Sequence, residues 1–406
     1  MSALSPEREE LRRRAREFAL AEVLPVADEL DRQKVDIPWE LIEKVAAQGY
    51  FGITIPREHG GLGLGLFEYC LVSEELARAW MSVASIIARG NSILFGALAD
   101  DPRRSHLMAK VARGEYIGAF ALSEEQTGSD VAGIATTARR EGDEWVLDGD
   151  KKWAGWALPA DFIMVFARTS PPDAQNRHRG ISCFLVEKER DSFPPGMSGE
   201  PIDKIGYHGL SSWRLRLDGV RVPAGNLLGV EGEGFRIAVS GLDKARVHTA
   251  ARAVGAAQAA LEDATAYART RVQFGHPIAD FQAIRFKLAE MATDVEAGRQ
   301  LWRHAAELVD AGGRHDRLCS MAKLFASDMA ERVTTEGLQI LGGAGYTTEH
   351  AMERHWRDAR LTRIFEGTSE IQKRIISDRL LEGPAAGPEP VQGGAKGPAA
   401  GRGPQQ

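Results

Sequence analysis

At 406 residues, with 51 basic side chains against 57 acidic ones and a formal charge of −6, the chain is longer than one ordinary core fills and is expected to divide into two or three domains. The charge is spread without a basic stripe, which excludes nucleic acid and a membrane surface as indicated partners. Cys70, Cys183 and Cys319 stand far apart, with no CxxC and no metal-like pairing with histidine, so no metal is expected and a reducing compartment fits.

The first residues, Met1 to Glu7, contain no apolar segment, and the arginines that follow are interleaved with acids. Neither a signal peptide nor a transit peptide is expected, and the cytoplasm is the expected compartment. From residue 5 to about 115 the chain reads as helical: Ser5 with Pro6 and Glu7 is a helix start, Leu11, Ala15 and Phe18 recur at helical spacing, and Glu74 to Ala79 lies in another such run. A glycine-rich turn, His59-Gly60-Gly61-Leu62-Gly63, interrupts the helices.

From about 116 to 228 the texture changes to short runs rich in valine, isoleucine, phenylalanine and tryptophan, bounded by turn residues. Strands are expected at Tyr116 to Leu122, Trp145 to Leu147, Phe162 to Ala167, Ile181 to Val186 and Trp213 to Leu217, as antiparallel neighbours. Glu141-Gly142-Asp143 and Asp148-Gly149-Asp150 are expected as hairpin turns between them. No βαβ alternation appears, which disfavours a doubly wound nucleotide fold. After about 229 the helical period returns, as in Ile284, Leu288, Met291 and Val295. The last stretch, 383–406, is half glycine and proline with almost no large apolar side chains, and is expected to be disordered.

Five segments carry candidate chemistry. Leu122-Ser123-Glu124-Glu125-Gln126-Thr127-Gly128-Ser129-Asp130 follows a strand and offers N–H and hydroxyl donors to a phosphate or a heterocycle edge, although a plain turn also explains it. Trp153, a strand later, is placed to stack on a planar ligand or to fill a core. Arg271, Phe274 and Gln282 put an arginine beside aromatics, either a pyrophosphate clamp or a helix C-terminus with Gly275 as stop. Gln339 to Tyr346 ends a helix with Gly342, Gly343 and Gly345, more than a C-cap needs.

The fifth segment is Arg363-Ile364-Phe365-Glu366-Gly367-Thr368-Ser369-Glu370-Ile371-Gln372. Thr368 or Ser369 reads as an N-cap, with Glu366 then a solvated acid ahead of a helix. Phe365 beside the carboxyl and the permissive Gly367 favour another reading: a carboxylate against apolar surface, its pKa raised, suits a base that takes a proton from carbon.

In their order along the chain, and with Ile55 to Gly63 and Glu74 to Arg78 ahead of them, these segments make residues 5 to 382 resemble the acyl-CoA dehydrogenase family. The resemblance implies an α+β fold in which an N-terminal helical domain (1–118) is followed by a central β-barrel-like domain (119–228) and a C-terminal four-helix bundle (229–382). It implies FAD as cofactor, a homotetramer, an acyl-CoA substrate and an electron-transfer flavoprotein as electron acceptor.

By position, the resemblance makes Glu366 the catalytic base, its own amide a donor to the thioester carbonyl, and Gly367 a close neighbour of the substrate. Leu122, Ser123, Gly128, Ser129, Trp153 and Gly155 fall where the family holds the flavin, with Ser129 also near pantetheine. Arg271, Phe274, Gln282, Gln339, Gly342 and Gly343 fall where a neighbouring subunit holds FAD, and Thr368 and Glu370 where the adenosine half is contacted. Asp243 and Arg246 fall near the CoA-binding helix. Ala245 stands where some subfamilies carry their base, and alanine cannot act there.

The chain departs from the pattern in three places. Glu125-Gln126-Thr127 replaces the usual Pro-Gly-Ala, Gly155 replaces a threonine that commonly hydrogen-bonds the flavin, and Glu370 replaces a frequent glutamine. The loss at Gly155 keeps open an acyl-CoA oxidase or a carrier-protein-linked dehydrogenase of the same fold. A binding protein on this fold would show a basic face and a missing base, and the sequence has neither. Arg89 aligns roughly with the floor of the acyl pocket, where a cation would recognise a carboxylate; a solvated arginine at a helix end is the reading the sequence favours.

Overall fold

The structure is a computed structural model that describes residues 4–91, 94–173 and 175–382; the expected disordered tail at 383–406 lies outside the described residues. Its first helix, Pro6–Phe18, starts as its sequence dictates: the Ser5 hydroxyl accepts from the Arg8 amide, and Pro6 sits where its missing N–H costs nothing. Ala15 and Phe18 form the buried face. The helix Leu66–Ala79 is buried almost all round, and its first amides at Leu66 and Phe67 donate to the Asp310 carboxylate at 2.7 and 2.9 Å. An acid from the C-terminal part thus caps a helix of the N-terminal part.

Eight strands form the central sheet: β1 Gly118–Ala121, β2 Thr137–Glu141, β3 Glu144–Gly155, β4 Phe162–Arg168, β5 Ile181–Glu187, β6 Met197–Pro201, β7 Ser212–Pro223 and β8 Leu227–Leu228. Their order is β6-β7-β3-β2-β4-β5-β8, with β1 beside β4. The expected antiparallel pairing holds for most neighbours, but β1 runs parallel to β4, because the β2–β3 hairpin is inserted between them and supplies the crossover a parallel pair requires. β2 was missed because its outward positions are charged and only Ala138 is buried.

Glu141-Gly142-Asp143 does turn β2 into β3, with Gly142 at φ 61°. Asp148-Gly149-Asp150 does not turn; it lies inside β3, where the register with β7 slips between Leu147 and Gly149. Gly149 is at φ 144°, and a Cβ there would stand 2.7 Å from Thr136 Oγ1. The glycine marks a bulge rather than a hairpin.

The C-terminal part packs the long helices Leu242–Thr270, Gln282–Asp310 and Asp316–Leu341 with the shorter Ser369–Leu381. Gly255 lets the N-terminal helix Leu66–Ala79 approach the first of them: a Cβ there would meet the Glu74 carbonyl at 2.3 Å. One hydrophobic core runs through all three parts, from Phe51 and Trp80 through Trp156 and Leu217 to Val254, Trp302 and Met329.

Candidate active site

Glu366 sits on a two-residue elbow between the helices Met352–Leu361 and Ser369–Leu381. Its φ is 53° and that of Gly367 is 89°. For glutamate this left-handed conformation costs about 1–2 kcal/mol, and it persists because the surroundings hold it. Lys323 Nζ and Gln372 Nε2 both donate to the Gly367 carbonyl, at 2.7 and 2.9 Å, and Thr368 caps the following helix by accepting from the Ile371 amide. Among the described residues the Glu366 amide has no acceptor.

The carboxylate is held at both oxygens by the long helix Leu242–Thr270. Thr249 Oγ1 donates to Oε2 at 2.5 Å and Arg252 Nη2 to Oε1 at 2.8 Å; three residues apart, the two lie on one helix face. Arg252 Nη1 also donates to Ser85 Oγ at 2.6 Å. The Arg252 side chain is 1% exposed and that of Glu366 29%, so the site closes at the guanidinium and opens at the carboxylate. The expected apolar neighbour is therefore corrected: Phe365 lies over Arg252, 4.8 Å from ring centroid to guanidinium carbon, and meets Tyr207 edge-on. Lys323 is fully buried behind the elbow, and burial, opposed by Glu366, pushes its pKa down to about 8.

Arg89 is not the solvated arginine the sequence favours. It is half-buried and donates through Nη2 to the Gly155 carbonyl at 3.1 Å. Gly155 makes room for it, since a Cβ there would stand 2.9 Å from the same nitrogen. Burial lowers its pKa, against the charge of Glu366 and the hydroxyl of Tyr207.

The loop after β1 is built around Glu124, whose carboxylate accepts from Lys151 Nζ, Thr136 Oγ1 and the amides of Ala135 and Thr136. Lys151, with no exposed side-chain surface, is pushed to about 8 by burial, with Glu124 opposing, and also donates to the Leu122 carbonyl. The Ser123 carbonyl accepts from the Lys152 amide at 2.8 Å. This rigging leaves Gly128 and Ser129 exposed, Gly128 with open space around it, and Thr127 Oγ1 buried without a partner. Trp153 stands in β3 at φ 64°, 54% exposed: not core, but an indole open to solvent with Lys152 Nζ 5.0 Å from its ring centroid.

Asp243 and Arg246 pair at 2.7 Å at the start of the long helix, in a cleft also lined by Arg314, Asp316 and Arg379. Arg271 caps that helix's C-terminus, and Gly275 at φ 90° turns the small hairpin beyond it. Phe274 is 91% exposed, and Gln282, Gln339, Gly342, Gly343 and Glu370 are exposed too. Among the described residues no hydrogen bond or ring contact joins these groups to Glu366 or to the loop at Ser123.

Sequence reasoning missed Thr249, Arg252, Lys323 and Tyr207. One signal existed for the second: Ala250-Ala251-Arg252-Ala253 sets an arginine in a run of small apolar residues, where a solvated side chain is out of place.

Residues 5–115, 119–220 and 232–381 match the N-terminal, middle and C-terminal domains of acyl-CoA dehydrogenase. An acyl-CoA dehydrogenase of Bacillus subtilis (strain 168) is 40% identical over 379 residues, covering 92% of this chain and 97% of that protein. The butyryl-CoA dehydrogenase structure from Megasphaera elsdenii is similar at TM-score 0.87 and 35% identity, covering 94% of this chain and 100% of that one. A glutaryl-CoA dehydrogenase from Mycobacterium smegmatis in complex with FADH2 is similar at TM-score 0.85 and 28% identity, covering 93% and 95%. With the three domains matched in chain order, this protein belongs to the acyl-CoA dehydrogenase family.

Proposed function

We propose that the protein is an FAD-dependent acyl-CoA dehydrogenase in which Glu366 removes the α-proton of an acyl thioester to give the 2-enoyl product. The observation that carries this reading is the elbow: a partly exposed carboxylate on strained backbone, fixed at both oxygens, with its own amide uncommitted. A base fixed this way meets the proton without reorganising. The Glu366 N–H polarises the thioester carbonyl, which makes the neighbouring C–H acidic enough to lose.

The residues present fit FAD. Thr127 Oγ1 lacks a partner, Trp153 offers a ring open to solvent, and Gly128 leaves the backbone open to close approach; Leu122, Ser123, Ser129 and Gly155 line the same edge. Bound there, FAD supplies the acceptor for the hydride that leaves the β-carbon. Arg246, Arg314 and Arg379 supply the cations for the phosphates of CoA in a cleft they share with Asp243 and Asp316, and Asp243 holds Arg246 in place at 2.7 Å.

Arg271, Phe274, Gln282, Gln339, Gly342 and Gly343 serve a second copy of the chain in this reading, with Thr368 and Glu370 toward the adenosine. The 91% exposure of Phe274 and 92% of Tyr346 support a covering subunit, and a homotetramer with domains 1–118, 119–228 and 229–382 is the assembly proposed. Electrons pass on to an electron-transfer flavoprotein. No helix among the described residues is long and apolar enough to cross a membrane, and a cytoplasmic site of action is proposed.

Glu366→Gln tests the reading. Anaerobic flavin bleaching by acyl-CoA should slow by about 10³–10⁴-fold, with FAD content retained. Turnover at the normal rate would overturn the assignment.

A further inference from the structure

The charges around Glu366 do not balance. Of Arg89, Arg252 and Lys323, which all feel the Glu366 carboxylate, only Arg252 pairs with it, and among the described residues neither Arg89 nor Lys323 has any acid within 4.0 Å. A buried cation left without a counter-charge is costly, and arginine cannot relieve that cost by losing its proton.

Nor are the donors used up. Arg89 donates to the Gly155 carbonyl alone, so most of its planar fork, the shape that grips a carboxylate with two parallel bonds, has no acceptor among the described residues. Arg252 Nε is buried and also without a partner. The Arg89 head lies directly against the bare Gly155, where a Cβ would press on Nη2 and shift it.

We infer that the acyl group this protein oxidises carries a carboxylate of its own, received by Arg89 with Arg252 as the second cation. The inference rests on the dehydrogenase reading above and names its substrate class. The base limits the chain length. Glu366 must approach the α-carbon to about 3–3.5 Å, and Arg252 hydrogen-bonds that same carboxylate at 2.8 Å. The guanidinium therefore lies within a short reach of the reacting carbon, and an acyl carboxylate received there belongs to a short dicarboxylic acyl thioester rather than a long fatty one.

The test uses FAD-loaded protein under anaerobic conditions with succinyl-CoA and glutaryl-CoA, each set against the thioester whose carboxylate is replaced by a primary amide, and with butyryl-CoA. Kd is read from the perturbation of the flavin spectrum, and reduction from its bleaching. For the better of the two carboxylates, kcat/KM should exceed that of its amide by about 100-fold or more. Arg89→Gln should cut this ratio at least tenfold, chiefly through Kd, and Arg89→Lys should restore part of it.

Equal handling of carboxylate and amide would overturn the inference, as would butyryl-CoA bleaching the flavin best; it is also the result expected if the cations served only to favour reduced flavin. Should Arg89→Gln fail to fold, the wild-type ratio still decides. Should no thioester bleach the flavin, the dehydrogenase reading fails, and the ratio of Kd values decides the carboxylate separately.

Discussion

Two clusters of charge lie against the long helix Leu242–Thr270 and differ in nearly every respect. In the first, between the N-terminal helices and the bundle, Glu9, Glu74, Glu75 and Glu296 face Arg12, Arg78, Arg299 and Arg303. Acids and bases are matched in number, and all eight sit on regular helices. Around Glu366 only Arg252 of three cations is paired with an acid, and the backbone is left-handed at Glu366 and Tyr207. A balanced cluster on unstrained backbone is accounted for by folding. An unbalanced one on strained backbone points to a ligand.

Glu74 gives the largest expected effect on stability. Its two oxygens accept from Arg299 Nε and Trp302 Nε1, both at 2.8 Å, and Trp302 is fully buried. Glu74→Ala should cost about 3 kcal/mol or more, because it leaves buried donors unpaired. Chemical denaturation measures this; a loss below about 1 kcal/mol would mean that the balanced cluster holds little of the fold.

Glu75 gives the first cluster a pH dependence. Burial and the neighbouring Glu74 raise its pKa to about 7, although Arg12 and Arg16 pull the other way. The folded state then binds a proton more tightly than the unfolded one between about pH 4.5 and 7. Stability from this group is full below that range and is lost as pH rises through 7. At about 1.4 kcal/mol per unit, wild type should lose about 2–3 kcal/mol relative to Glu75→Gln between pH 5 and 8. Parallel unfolding curves for the two proteins across that range would refute it.

The helical, sheet, helical order was legible because period and residue type change together near residues 116 and 229. The elbow was legible because Glu366, Gly367 and Thr368 each have a local role that their residue type announces. What surrounds the base was not legible. Ser85 with Arg89, Arg252, and Lys323 come from three segments far apart in the chain, and nothing local to Arg252 says that its partner is Glu366. Asp148-Gly149-Asp150 misled for the opposite reason: the local turn signal was strong, but the long pairing of β3 with β7 absorbed it as a bulge.

Arg252→Met is the smallest change expected in stability and the sharpest test of the comparison. The variant loses the bonds to Glu366, Thr249 and Ser85 and the contact with Phe365, which alone would destabilise it. It also removes one of three cations crowded together, with Arg252 itself depressing the Lys323 pKa. Glu366, 29% exposed, keeps the Thr249 hydroxyl and some contact with water, so it is not stranded. A methionine of similar length fills the space, and such exchanges of a buried ion are often neutral. The two terms should cancel to within about 1 kcal/mol, while flavin reduction falls at least tenfold because the base is no longer oriented. A destabilisation as large as that of Glu74→Ala would place Arg252 among the groups that hold the fold, and the excess of positive charge at Glu366 would then need no ligand to explain it.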